Sequence, residues 1–231
     1  MNLIIIYEDK DMLICYKPAG VATQTASIGS PDMVSMIKNH LAKQGKENSV
    51  YVGVIHRLDQ PVSGLLVFAK NKRAAADLSK QIQDGNANKD YVAMCYGSPK
   101  EQSGTLEHYI YKDAQTKMAK VSDKEENTSY KKAILDYEVE VQKEDCSFLK
   151  VHLHTGRFHQ IRAQFAYMGN PLLGDGKYAT TESKELSLKK RINKIALCAY
   201  RLVLTHPKTK EQLEFVLDEK LLPQWYEIKS R

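Results

Sequence analysis

The stretch Gly53-Val54-Ile55-His56-Arg57-Leu58-Asp59-Gln60-Pro61-Val62-Ser63-Gly64-Leu65-Leu66-Val67-Phe68-Ala69 sets two apolar runs around a polar knot. The runs read as buried strands, and the knot crowds His56, Arg57 and Asp59 into four positions. A carboxylate held between hydrophobic strands needs a positive or hydrogen-bonding partner, or it loses its charge. On an extended segment Arg57 and Asp59 share one face while Leu58 points the other way. Two readings follow. Either Arg57 pairs with Asp59 in a structural ion pair, or an arginine from elsewhere takes the carboxylate and leaves Arg57 to project.

At 231 residues the chain is long enough to bury a substantial core, and a single domain over 1–231 is expected. A hydrophobic fraction of 42% beside 27% charged residues is ordinary for a globular protein. No apolar run approaches the roughly 18 residues of a membrane span, and Met1-Asn2-Leu3-Ile4-Ile5-Ile6-Tyr7 lacks the features of a secretory signal. A cytoplasmic protein with no membrane partner is expected. Cys15, Cys95, Cys146 and Cys198 are widely spaced and form no Cys-x-x-Cys pair, which excludes the usual zinc and redox motifs. Between Lys150 and Lys210, 12 Lys and Arg stand against 3 acids, so this region carries +9 in a chain of formal net charge +6. Such a region is either a solvated surface or a face that attracts phosphates.

Along the chain, Leu3 to Tyr7 and Met12 to Tyr16 read as short strands, followed by a turn at Lys17-Pro18-Ala19-Gly20. Ser30-Pro31-Asp32 predicts a helix capped by Ser30 with Pro31 at its first position, running to about Lys43 and ended by Gly45. Met33, Met36, Ile37 and Leu41 follow its helical spacing as core residues. Asn71 predicts a second cap, with Ala75, Leu78 and Ile82 as one stripe and Gly85 as the stop. Lys89 to Gly97 reads as a strand, and Ser98 to Gln142 as strands with polar turns. Phe148 to His154 alternates, with Leu149, Val151 and Leu153 opposite His152 and His154. Thr155 to Arg162 opens a helix carrying Phe158, Ile161, Phe165 and Met168 that stops at Gly169. Thr180 to Lys194 reads as a basic loop, Ala196 to Leu204 and Leu213 to Leu217 as strands, and Lys220 to Ile228 as a closing helix weakened by Pro223.

Four strings, in order, carry a resemblance. Tyr7-Glu8-Asp9 with Lys17-Pro18-Ala19-Gly20, His56-Arg57-Leu58-Asp59 with Ser63-Gly64-Leu65, Lys89-Asp90-Tyr91-Val92-Ala93, and Thr155-Gly156-Arg157-Phe158-His159-Gln160-Ile161-Arg162 with Gly169 to Tyr178 resemble the motifs of the RluA family of RNA pseudouridine synthases. The departures are Gln60 and Val62, where the family usually has Arg and Thr, Tyr16 for Asn, and Cys198 for His. The resemblance covers nearly the whole chain and implies a short form without an N-terminal accessory RNA-binding domain. It implies an α+β pseudouridine synthase fold: a mixed, largely antiparallel central sheet with flanking helices and a basic active-site cleft.

The resemblance also implies roles. Asp59 would be the catalytic carboxylate, Tyr91 would stack on the target uracil and help remove its C5 proton, and Arg162 would pair with Asp59. Arg57 would fill the place of the flipped nucleotide, and His56, Ile161, Arg157, His159 and Gln160 would line the substrate. The isomerisation implies no cofactor and no metal. The partner would be ribosomal or transfer RNA, acted on by a monomer. Three other readings stand beside this one. An inactive RNA-binding relative would keep the fold without the chemistry. A glycoside or nucleoside hydrolase would need a second acid, for which Asp175 is the candidate. A zinc held by His152, His154 and His159 would lack an evident carboxylate to complete it.

Overall fold

A computed structural model describes residues 2–25, 31–45 and 50–230. The chain forms two compact units, one of Met1–Asn88 with Ala199–Leu221 and one of Lys89–Cys198 with Leu222–Arg231.

The first unit opens with the expected hairpin, β1 (Ile4–Glu8) and β2 (Met12–Lys17), antiparallel around a turn in which Asp9 accepts the backbone N–H groups of Asp11 and Met12. Helix α1 (Met33–Lys43) buries Met33, Ile37 and Leu41 as its spacing requires. Its start differs from expectation. Ser30 lies outside the described residues, Pro31 is not helical, and the cap is Asp32, whose carboxylate accepts from Ser35 N at 2.7 Å. The same side chain accepts from Thr25 N at 2.7 Å, so one carboxylate ties Thr25 to the start of the helix.

The motif stretch is less symmetrical than its composition suggests. Only two residues before the knot form a strand, β3 (Gly53–Val54), whereas β4 (Ser63–Ala69) is buried along its whole length. The β3 ladder ends because Val67 N–H points to His56 Nε2 at 3.4 Å where a third strand residue would otherwise receive it. Helix α2 (Lys72–Gln83) is capped by Asn71, which accepts from Ala74 N at 2.9 Å, and its buried Ala74 and Leu78 lie on the side that packs against β4.

The second unit is a meander followed by helices. β5 (Asn88–Tyr96), β6 (Ser103–Asp113), β7 (Met118–Ser122), β8 (Lys131–Gln142) and β9 (Cys146–Leu153) line up in the order β5-β9-β8-β6-β7, every neighbour antiparallel. Helix α3 (Gln160–Tyr167) follows, and residues 180–194, expected to be a loop, contain α4 (Thr181–Lys189). Thr180 caps α4 by accepting from Ser183 N at 3.2 Å, and the helix buries Ser183, Leu186 and Ser187. With two small hydroxyls on the buried side and Leu188 79% exposed, no apolar stripe announces it.

β10 (Leu197–Thr205) and β11 (Gln212–Val216) pair antiparallel, and in the first unit the strands run β1-β2-β4-β10. The closing segment is not one helix. A 3-10 turn at Glu219–Leu221 stops before Pro223, which caps the one-turn α5 (Gln224–Glu227). A proline has no N–H to continue the ladder, so the segment breaks there. The largely antiparallel strands with flanking helices agree with an α+β class.

Candidate active site

In the first unit the knot is a braced loop. Leu58 is buried, Arg57 is exposed and Asp59 is half-buried, as the alternation predicts. Thr23 pins Leu58 twice, its hydroxyl donating to Leu58 O at 3.1 Å and accepting from Leu58 N at 3.3 Å. Lys17 is 0% exposed, and its ammonium donates to Val21 O at 2.7 Å, Gln60 O at 3.0 Å and Pro18 O at 3.2 Å. The Lys-Pro-Ala-Gly turn is therefore the clamp that holds the residue next to Asp59. Gln60, a departure from the family pattern, joins the clamp: its carbonyl accepts from Gly20 N at 2.8 Å and its side-chain amide donates to Gly20 O at 3.0 Å. Asp59 O accepts from Val62 N at 3.0 Å, closing the turn into β4. Gly64 then enters β4 with φ +131°, and a Cβ there would lie 2.3 Å from Ala199 O. Only glycine fits so close an approach.

In the second unit Tyr91 is buried on β5 opposite Val151 of β9. Beside it, Asp90 and His152 share a 2.5 Å hydrogen bond. The loop before α3 is held by the amide of Gln160, whose oxygen accepts from Thr155 Oγ at 2.8 Å and Arg157 N at 2.9 Å, and whose nitrogen donates to Ile134 O at 3.0 Å. Gln160 is thus committed to the loop that presents Arg157, while Arg157 itself is exposed and donates from Nε to Lys132 O at 2.8 Å. His159 sits at φ +54°, stacks on Phe158 at 3.8 Å between ring centres, and shares a 2.8 Å hydrogen bond with Tyr178. Ile161 is buried.

Arg162 is gripped by Asp175, from Nε to Oδ2 at 2.8 Å and from Nη2 to Oδ1 at 2.7 Å. Burial alone would raise the Asp175 pKa, but the Arg162 guanidinium and the N–H groups of Lys177 and Tyr178 outweigh it and hold the carboxyl below its ordinary value. The same carboxylate accepts from Lys177 N at 2.8 Å and Tyr178 N at 3.3 Å, and it fixes the plane of the guanidinium. The acid that a hydrolase would require is spent on this pair.

The three histidines considered for zinc take separate polar partners: His152 takes Asp90, His154 takes Asp136 at 2.6 Å, and His159 takes Tyr178. Among the described residues, Asp9, Asp11 and His206 are the metal-capable side chains that gather within 4.8 Å. Their donors are already used. His206 Nδ1 accepts from Lys208 N and Thr209 N, its Nε2 faces Asp9 Oδ2 at 2.6 Å, and Asp11 accepts from Asn71. The group fits a brace between the first hairpin and the His206-Pro207 turn.

Residues 11–167 match the family model described as RNA pseudouridylate synthase. The chain belongs to the RluA family of RNA pseudouridine synthases. The synthase is 32% identical over 227 residues to an RNA pseudouridine synthase of Chlorobaculum parvum described as uncharacterized, covering 92% of this chain and 69% of that one. It is 32% identical over 221 residues to the ribosomal large subunit pseudouridine synthase D of Zymomonas mobilis, covering 92% and 68%. The solved human RNA pseudouridylate synthase domain containing 4 shares the fold, with a TM-score of 0.77 at 21% identity over 96% of this chain and 90% of that one. The synthase is therefore an RNA isomerase. Among its described residues no helix is long and apolar enough to cross a membrane.

Sequence reading missed two residues of this machinery, Lys17 and Asp175 in its role as anchor. A lysine before proline reads as a turn residue, and its burial is set by carbonyls up to 43 positions away.

Proposed function

We propose that the protein converts specific uridines of ribosomal or transfer RNA to pseudouridine, in the cytoplasm and as a monomer, with Asp59 as the reacting carboxylate. The observation that carries this is the build of the Asp59 loop: a half-buried acid beside an exposed arginine, on backbone clamped by Lys17 and Thr23. A stacked uridine must leave its helix to react, at a cost on the order of a few kcal/mol. Arg57, projecting from this loop, has the planar cation that can stack in the vacated place and contact phosphate. Tyr91 stacks on the extruded base, and Arg162, its plane set by Asp175, is the charge partner of the catalytic acid. His56, Arg157, His159, Gln160 and Ile161 shape and present the substrate surface. The +9 balance between Lys150 and Lys210 supports an anionic partner. A ribosomal substrate is favoured by the named activity of the Zymomonas mobilis relative.

In the reaction the bond from uracil N1 to C1′ breaks, the base turns, and C5 bonds to C1′. Asp59 either attacks C1′ or promotes departure of the base, and a base then takes the C5 proton. RNA tritiated at uridine C5 reports this directly. The wild type should release tritium and leave pseudouridine, whereas Asp59→Asn should bind the RNA and release none. Turnover by Asp59→Asn, or free uracil among the products, would overturn the assignment.

A further inference from the structure

Lys89 is a buried cation that the roles above leave unused. The residue is 7% exposed, and among the described residues its amine has no hydrogen-bond or salt-bridge partner. Lysine is seldom buried unless paired, because its ammonium loses hydration without recompense. Burial pushes its pKa down accordingly. The amine is not sealed, however. The described side-chain polar atoms that are sealed without a partner are Ser98 Oγ and Gln164 Oε1, so solvent still reaches Lys89 Nζ. It lies beside the Gly156 backbone, 3.9 Å from where a Cβ at that glycine would stand. Residues two apart on a strand share a face, so Lys89 projects from β5 on the same side as Tyr91, roughly 7 Å along.

We propose that Lys89 donates a hydrogen bond to a carbonyl oxygen of the target uracil and stabilises the negative charge that the base carries once it has left the sugar. The proposal rests on the reading that Tyr91 stacks on that uracil. When the C1′–N1 bond breaks, its electron pair stays with the base and the charge spreads over O2 and O4. C5 then bonds to C1′, the C5 proton goes to the base that removes it, and N1 is protonated. Lys89 neither gains nor loses a proton in this sequence. A donor already in position, and short of water, costs no reorganisation when the charge develops. A phosphate contact is the less favoured ligand, since backbone phosphates are met by exposed side chains such as Arg157 and not by the amine of a residue only 7% exposed.

The test compares wild type with Lys89→Met, which keeps the apolar stem, under single-turnover tritium release with RNA binding measured across a salt series. Wild-type release establishes the underlying activity, so an inactive wild type sinks the functional reading and not this one. Lys89→Met should bind RNA within about 3-fold of wild type with an unchanged salt slope, and should release tritium about 100-fold more slowly. Its melting temperature should not fall, since an uncompensated buried charge has been removed. Weakened binding with a salt slope lower by about one would make Lys89 a phosphate ligand and overturn the proposal. A wild-type rate would make it a packing stem and overturn it equally. If Lys89→Met fails to fold, Lys89→Gln, with an N–H but no charge, decides in its place: an intermediate rate supports the role and a wild-type rate refutes it.

Discussion

Arg162 and Asp175 meet fork to fork at 2.8 and 2.7 Å, with side chains only 4% and 0% exposed. Removing one member of a buried ion pair is strongly destabilising, by about 3–5 kcal/mol. Asp175→Asn should therefore lower the urea midpoint by that much stability, and should slow tritium release in whatever enzyme remains folded. Arg162→Lys should not rescue activity, because a point charge cannot make the planar two-nitrogen contact.

Gly64 is where the catalytic loop enters its strand, and it lies against the Ala199 backbone. An added methyl would sit 2.3 Å from a carbonyl oxygen and 2.5 Å from an amide nitrogen at φ +131°. Neither neighbour is a flexible side chain that can yield. Gly64→Ala should cost at least about 3 kcal/mol, read as a fall in thermal unfolding temperature. The neighbouring Pro61→Ala, at an exposed turn position, serves as the mild control.

Lys17 supplies three hydrogen bonds from a side chain with no exposure. Lys17→Met keeps the volume and removes the ammonium from the three carbonyls. Gln60 O still accepts from Gly20 N and Pro18 O from Val21 N, so Val21 O loses most, at a cost of about 1–3 kcal/mol if it stays buried. The loop carrying Asp59 should loosen. Hydrogen exchange over residues 57–62 should accelerate in this variant, with product formation reduced more than RNA binding.

Asp113 turns the β6–β7 hairpin. Lys120 at 2.9 Å is the main cause of its lowered pKa, helped by the N–H groups of Thr116 and Gln115, and the carboxyl is held at about 2 against an ordinary 3.8. A carboxyl that binds its proton more weakly when folded adds stability above the unfolded value, and that stability is lost as pH falls through the folded one. The hairpin contribution should therefore be complete above about pH 4 and gone near pH 2. Carboxyl chemical shifts of Asp113 across that window check this, and Lys120→Met should move the midpoint back up.

How far the sequence disclosed this structure depended on the range of the forces involved. The Asn71 cap of α2 and the alternation of β9 are local, and both appear as read. The Leu58 alternation correctly separated a buried leucine from an exposed Arg57. Helix α4 was missed because its buried side is mostly serine and its Leu188 faces solvent, which inverts the usual stripe. The motif residues were legible as strings, but their supports were not. Lys17 to Gln60, Arg162 to Asp175 and the burial of Lys89 depend on backbone and side chains that periodicity does not report.

Helix α3 turns amides and a guanidinium inward, with Gln160, Arg162 and Gln164 all buried and amide bonds reaching Ile134, Leu106 and Ala133 on β8 and β6. The same helix buries Ile161, Ala163 and Phe165, so it is enclosed on its polar and apolar sides alike by other elements. Its amides' acceptors stand 26 to 58 residues earlier in the chain, so the direction of the arginine it carries depends on strands outside the helix. A peptide of residues 155–169 should accordingly be a random coil by circular dichroism, and a nascent chain halted before its meander closes should be catalytically silent.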